Sequence, residues 1–208
     1  MRKAIYTINY GGYDPVHEPR VITPGWDYIM FTDNPNLKSK HWQIVHYDEP
    51  DLPRWLMARK VYIMSHMFMP DYDLTVLIGG QMRVNCNLDD FVRGKTGADM
   101  AVARHPDRST VQEEISACVR LKKFSRAHAR KLRKRYHGVR DIRLPQLAVI
   151  IRTRVPPEFE QLWYDETAIA RRDQIAFCHC ASQVEINLQY YSWAEIPGNF
   201  IKHKHLKK

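Results

Sequence analysis

The chain has 208 residues, 44% hydrophobic and 26% charged, which is ordinary globular usage and excludes wholesale disorder. Nine glycines and twelve prolines exclude collagen-like and low-complexity classes, and no apolar run approaches the ~20 residues that span a bilayer. Lysine and arginine outnumber aspartate and glutamate by 32 to 23, a formal charge of +9. In chain order, the β-rich run Lys3–Asn9 stops at Tyr10-Gly11-Gly12, a strand-to-loop signature. Tyr28–Thr32 predicts a second strand, ending in the turn former Asp33-Asn34-Pro35, and Trp42–His46 a third. Arg54–Met69 reads as a helix, because Leu56, Lys60, Ile63 and Met67 recur at helical spacing between Pro53 and Pro70. Leu74–Ile78 is an unbroken apolar run, as expected of a strand buried on both faces, and it ends abruptly in Gly79-Gly80. Met100–Ala103 is another short strand. Leu121, Phe124, His128, Leu132 and Tyr136 mark the apolar face of a basic helix closed by Gly138. Ala148–Arg152 is a strand, followed by helices over Pro157–Ala170 and Asp173–Gln183.

Strands alternating with helices predict an α/β fold: one domain over 1–200, with a mostly parallel twisted sheet flanked by helices, then a basic tail over 201–208. Such sheets bind ligands at the carboxyl ends of their strands. That rule singles out Tyr10–Asp14, Asp33–Pro35, Gly79–Gln81 and Arg104–His105. Neither GxGxxG nor GxxxxGK[ST] occurs, so a dinucleotide fold or a P-loop NTPase is not supported. Cys86, Cys118, Cys178 and Cys180 form no CxxC pair, and no secretory pattern follows Arg2 and Lys3. A soluble cytoplasmic protein with reduced thiols is expected. Cys178-His179-Cys180 lacks a second ligand pair, and His203 and His205 fall in a stretch expected to fray, so buried thiols are preferred to a zinc site.

The charge is concentrated. Arg120 to Arg143 holds eleven basic residues against one acid, Asp141, and the tail adds Lys202, Lys204, Lys207 and Lys208. A positive concentration of this kind attracts polyanions in a salt-dependent way, and it is also what a solvated helix face can look like. Arg126, Arg130, Arg133 and Lys134, at three- and four-residue spacing, form a ridge able to follow the phosphate backbone of DNA.

The motifs add up along the chain. Ile5-Tyr6-Thr7 with Gly11-Gly12-Tyr13-Asp14 is followed by Phe31-Thr32-Asp33-Asn34-Pro35, Ala58-Arg59, and His66 with Phe68 and Pro70. Then come Ile78-Gly79-Gly80, Arg104-His105, Val149-Ile150-Ile151-Arg152, Leu162-Trp163 with Glu166, and Arg172-Asp173-Gln174 with Phe177. In this order and spacing, over about 175 residues, the sequence resembles the glycosyltransferase-like domain of the plant mucilage and turgor-defect proteins. The resemblance implies a GT-A fold that transfers a sugar from a nucleotide-sugar donor, with a UDP-sugar preferred.

One departure stands out. Where relatives carry an acid after the buried strand, in a tryptophan-isoleucine-aspartate-glycine pattern, this chain has Leu77-Ile78-Gly79-Gly80. The resemblance makes that aspartate the counterpart of a ligand to Mn²⁺ or Mg²⁺, hard cations that want carboxylate oxygens, and Gly79 has none. Other groups then hold the metal, or cationic side chains replace it, or catalysis is impaired. Tyr62 likewise stands where relatives often place a lysine, with Lys60 the nearest substitute.

The resemblance assigns the donor to Tyr6, Thr7, Tyr10, Gly12, Asp33, Arg59, Gly79, Gly80, Gln81 and His105. The leaving diphosphate gathers negative charge, so fixed cations or a metal must stand beside it, and Arg59, Arg104 and His105 are suppliers. A base, a nucleophile or a stabilising group must lie near the reacting atoms. Asp173, between Arg172 and Gln174 at a helix start, is the first candidate, although the helix dipole alone would favour an acid there. Glu166 is second, near a helix end where an acid is locally unfavourable. Asp33 suits a base or ribose hydroxyl, or a plain turn; Glu113 and Glu114 suit the first turn of a helix.

Three acceptor readings remain open. The sugar could go to a hydroxymethylated base in DNA of a bacterial or bacteriophage-infected cell, flipped out of its stack. A cytoplasmic transferase could instead build a cell-surface saccharide with its basic helix on anionic lipid. A degenerate GT-A domain could serve as a polyanion-binding module.

Overall fold

The computed structural model describes residues 1–139 and 142–206. In chain order the elements are β1 (Lys3–Asn9), β2 (Trp26–Thr32), β3 (Gln43–His46), α1 (Arg54–Ile63), α2 (Ser65–Phe68), β4 (Leu74–Ile78), β5 (Met82–Val84), α3 (Leu88–Val92) and β6 (Met100–Arg104). There follow α4 (Val111–Arg120), α5 (Arg126–Arg135), β7 (Pro145–Arg152), α6 (Pro157–Ala170), α7 (Asp173–Ala181), β8 (Leu188–Tyr191), α8 (Ile196–Asn199) and β9 (Phe200–Lys202). Seven strands make one sheet in the order β3-β2-β1-β4-β7-β6-β8, and β5 pairs with β9 in a separate ladder. The large sheet is parallel except for β7, which runs antiparallel to both of its neighbours.

Alternation along the strands divides the core between the two faces of the sheet. Tyr6, Phe31, Leu77 and Ile150 pack with Met57 and Val61 of α1, Phe159 and Trp163 of α6 and Phe177 of α7. Ile5, Met30, Ile78 and Val149 face the other way, onto Phe91 of α3 and Phe200 of β9. All five residues of β4 are buried, which explains its unbroken apolar run. Among the described residues no helix is long and apolar enough to cross a membrane.

Three expectations are corrected. The helix expected over Arg54–Met69 breaks at Met64 (φ −88°, ψ 63°) into α1 and α2. Glu160, wholly buried on α6, accepts the Ser65 hydroxyl and the His66 backbone N–H at 2.9 Å, so a carboxylate caps the new helix where the old one would have continued. The basic helix expected to carry Leu121 and Phe124 on its apolar face is shorter, and α5 begins only at Arg126. Thr110 and Glu113 form a capping box that starts α4, Lys122 takes a left-handed conformation (φ 57°), and the Ser125 hydroxyl caps α5 through His128. Leu121 falls in the connection and is 58% exposed.

Third, the basic C-terminal stretch is held in place as far as His205. Phe200–Lys202 pairs antiparallel with Met82–Val84, and the His203 N–H donates to the Gln81 carbonyl at 2.8 Å. The His203 ring stacks on His17 at 4.1 Å, and His205 Nδ1 lies 2.7 Å from Asp14 Oδ1. Lys207, Lys208 and Asp141 lie outside the described residues.

Candidate active site

A cleft of about 1030 Å³ opens at the carboxyl ends of β1 and β4. The loop after β1 lines it with Tyr10, Tyr13 and Asp14; α1 supplies Arg54, Trp55, Arg59 and Tyr62. The turn after β4 contributes Gly79, Gly80 and Gln81, and β7, running the opposite way, delivers its first residues, Gln146 to Ala148, to the same rim. The corner between α6 and α7 adds Arg171, Arg172, Asp173 and Gln174, while Lys123, Lys202 and His205 arrive from distant parts of the chain.

The corner is shaped by a left-handed cap. Arg171 at φ 53° ends α6, Arg172 is extended, and α7 begins directly at Asp173. Trp163 Nε1 donates to the Asp173 carbonyl at 2.9 Å, and the Gln174 side chain donates to the Pro145 carbonyl at 2.8 Å, so the corner is anchored to α6 and β7. Asp173 Oδ2 pairs with Arg59 Nη1 at 2.9 Å, and its Oδ1 accepts the Gln174 N–H at 3.0 Å. Arg59 also stacks its guanidinium 5.0 Å from the centre of the Tyr62 ring, and the Tyr62 hydroxyl donates to the Leu147 carbonyl. Burial alone would push the Asp173 carboxyl up, but Arg59 and Arg172 outweigh it and hold it below the usual aspartate range.

Arg172 is held in turn. Its Nε donates to Glu114 Oε1 at 2.8 Å, and the other oxygen of Glu114 accepts Arg108 Nε at 2.5 Å. Glu114 is 1% exposed. Burial raises its pKa, and the two arginines reverse that and hold it low. A first-turn helix acid is therefore also the buried anchor of a cleft arginine.

Two glycines set the shape of the cleft wall. A Cβ at Gly80 would lie 2.6 Å from the Ile8 carbonyl oxygen, which is backbone, so position 80 has no room for a side chain. A Cβ at Gly79 would meet only the flexible end of Gln81, at 2.7 Å. Gly11, at φ 66°, needs the left-handed region, and its N–H donates to both oxygens of Asp33 at 2.9 and 3.1 Å.

Of the residues singled out in the sequence, Asp173, Arg172, Gln174, Tyr10, Tyr13, Asp14, Arg59, Gly79, Gly80 and Gln81 share this cleft. The rest do not line it. Glu166 is turned into the protein, where it accepts from Arg135 and from the Tyr136 hydroxyl at 2.8 Å. Tyr6 is fully buried beneath the site, its hydroxyl taking Arg152 Nη1 at 2.6 Å, and burial pushes its pKa up to about 12. The Thr7 hydroxyl is spent on the Ile78 carbonyl. Gly12 belongs to the left-handed turn before Tyr13. Asp33 fixes that turn and also pairs with Arg54 Nε at 2.8 Å, so it reaches the cleft through Arg54. His105 is 5% exposed beside Arg108 and Glu114, and Arg104 is exposed. Arg126, Arg130, Arg133 and Lys134 are all exposed on α5, away from the buried Ala129 and Leu132.

The sequence reading singled out Asp14 only within the strand-end segment Tyr10–Asp14, and it missed the roles of Arg54, Lys123, Arg171, Lys202 and His205 in the cleft. A motif-order signal existed for Asp14, which closes Gly11-Gly12-Tyr13-Asp14; none existed for Lys202 or His205, which depend on β9 pairing with β5.

The same ionisable groups fix how stability responds to pH. Burial, then Arg108, lowers the pKa of His105; burial, then His203, lowers that of His17. A depressed folded pKa gives stability that is present above the unfolded value and lost as pH falls through the folded one. For the histidines that loss begins near the unfolded value of about 6.5; for Asp173, Glu114 and Glu166 it begins near about 4. The melting temperature is expected to fall gently below pH ~6.5 and steeply below ~4. Melting curves from neutral to acid pH measure this, and a single drop confined to the acid end would remove the histidines from the account.

The mostly parallel sheet, its one reversed strand and the cleft at its carboxyl edge make an α/β fold of the kind that binds ligands at its strand ends. Mouse xyloside xylosyltransferase 1, solved in its apo form, shares the fold with a TM-score of 0.51 at 7% identity, over 90% of this chain and 84% of that one. The sequence profile of the TOD1/MUCI70, glycosyltransferase-like domain matches residues 30–194, and the chain belongs to that family. No curated protein matches it in sequence.

Proposed function

We propose that the protein transfers a sugar from a nucleoside diphosphate sugar, preferentially a UDP-sugar, to a hydroxymethylated base in DNA. The observation that carries this reading is that the start of the basic helix α5 lies beside the cleft. Lys123, just before the Ser125 cap of α5, lines the cleft. At the start of α5, His128 Nε2 lies 3.4 Å from the Ala170 carbonyl, next to cleft residue Arg171. A duplex docked along Arg126, Arg130, Arg133 and Lys134 would have a cationic path from backbone to reaction centre. A base leaving its stack could follow it. Such a substrate implies a bacterial or phage-infected cytoplasm.

In this reading Arg59 and Arg172 meet the charge that builds on the leaving diphosphate. Both are oriented before substrate arrives, Arg59 by Asp173 and Tyr62, Arg172 by Glu114, so little reorganisation is left to the transition state. Asp173 stays ionised. A carboxylate held below its usual range accepts protons poorly, and this suits facing the positive charge that develops at the anomeric carbon better than deprotonating the acceptor. Gln174, tied to Pro145, keeps Asp173 in place.

The test is incubation with a panel of nucleotide sugars and either hydroxymethylated or plain DNA, followed by nucleoside mass analysis. A sugar added to the hydroxymethylated nucleoside alone is the expected result. Hydrolysis of donor to free sugar, with both DNAs unmodified, would refute the DNA acceptor and favour a saccharide.

A further inference from the structure

We infer that the donor site operates without a divalent cation, and that lysine and arginine side chains from three parts of the chain hold the diphosphate in its place. This rests on the nucleotide-sugar reading and adds how the site holds the donor's charge.

The wall of the cleft after β4 lacks carboxylates by its construction. Residues 79–81, after β4, offer no carboxylate: Gly79 has no side chain, Gly80 has no room for one, and Gln81 is an amide. The acids lining the cleft are Asp14 and Asp173, and both are engaged, with His205 at 2.7 Å and Arg59 at 2.9 Å. Among the described residues no group of three or more histidine, cysteine, aspartate or glutamate side chains could hold a metal ion. Beside a diphosphate, Mg²⁺ keeps several waters and is held by one or two carboxylates together with phosphate oxygens. Asp14 is the one cleft carboxylate not paired with an arginine, and it is already held by His205, so the residues present are a poor fit to the cation that a GT-A fold leads one to expect.

What the cleft has instead is positive charge. Arg54, Arg59, Lys123, Arg171, Arg172 and Lys202 line it, against two aspartates. Three of the six are already matched, to Asp33, Asp173 and Glu114. Lys123, Arg171 and Lys202 make no ion pair among the described residues and are exposed. Three unmatched cations facing one cleft repel each other, and an anion relieves that repulsion. A diphosphate is the anion the fold is suited to receive. Arg171 is committed to the cleft by its left-handed cap, and Lys202 by the pairing of β9 with β5 next to Gln81. Arginine and lysine thus supply, as fixed charges, what a bound cation would otherwise supply.

Calorimetric titration of the protein with UDP, once in EDTA and once in excess Mn²⁺, tests this. Affinities within about twofold of each other are expected, since the site's cations are its own. Lys202→Ala and Arg171→Ala should each weaken UDP about tenfold in EDTA, the order expected for losing one charge-assisted contact. Their melting temperatures should match the wild type, because both side chains are exposed and unpaired. Gly79→Asp, which can be accommodated by moving the end of Gln81, should weaken UDP in EDTA by adding an anion. Binding that appears only with Mn²⁺, or that Gly79→Asp strengthens in Mn²⁺, would overturn the inference and leave the donor reading standing. Unaltered affinity in Lys202→Ala and Arg171→Ala would overturn the cationic clamp. Failure of UDP, GDP, CDP and TDP to bind in either condition would overturn the donor reading itself, and the inference with it.

Discussion

Asp173→Asn is expected to reduce sugar transfer by about 10²–10⁴-fold while leaving UDP affinity within a few-fold of wild type. Asparagine keeps the shape of the side chain and can still accept the Gln174 N–H, so the α6–α7 corner persists. What disappears is the negative charge. Arg59 then loses its partner, but it is 33% exposed and still rests on the Tyr62 ring, so it can turn to water or to the diphosphate. The cost to folding is expected near the lower end of the about 1–3 kcal/mol for an unpaired buried group, read by chemical denaturation. Separate measurement of turnover and of UDP binding distinguishes chemistry from donor affinity. Wild-type turnover would remove Asp173 from the mechanism and move attention to Asp14, the other carboxylate lining the cleft.

Reversing the charges of Arg126, Arg130, Arg133 and Lys134 together is expected to abolish most salt-sensitive DNA binding. With about four phosphate contacts the wild type should show a slope of log K against log salt of roughly −3 to −4, at −0.9 per contact. The variant should lose most of that slope, and its loss of affinity should be alike for all sequences, because phosphate contacts position without reading bases. The fold should survive: all four side chains are exposed, and among the described residues only that of Arg133 has a hydrogen-bond partner, donating to Ser116 Oγ at 3.1 Å. Arg135 is left out because it is bound to buried Glu166. UDP affinity should not change. Equal modification of DNA by variant and wild type, or wild-type binding that is flat in salt, would reduce α5 to a solvated face.

The sequence showed most plainly those elements whose physics is local. β1 and β4 have the predicted bounds because an apolar run between a polar start and a glycine stop leaves little alternative. α6 likewise runs between a proline entry and its final arginine-rich corner. Asp173 and its two neighbours could be singled out because one motif at one helix start holds them together. The break at Met64 was hidden because its cause, Glu160, sits nearly a hundred residues away in sequence. Likewise, nothing local to Glu114 shows that Arg172 will reach it, and nothing local to Lys202 shows the three-residue ladder that carries it to the cleft. Glu166 misled for the opposite reason. Its place near a helix end looked locally unfavourable, and the compensation was structural, from Arg135 at the end of α5 and Tyr136 just after it.

The position of β7 between β4 and β6 also bears on how the chain reaches this fold. β4 is flanked by β1, made earlier, and by β7, whose Val149 pairs with Ile78 some seventy residues later in the chain. During synthesis at roughly 5–20 residues per second, the most apolar strand of the sheet therefore waits several seconds with an open edge. Pairing across such separations is slow to nucleate, because the loop must close before any contact rewards it. β8, the sheet's last strand, joins later still, at Leu188 against Met100. The nascent N-terminal half is thus the stage at which this protein is most open to aggregation or chaperone capture, and lowering the expression temperature should raise soluble yield more than stabilising the finished fold.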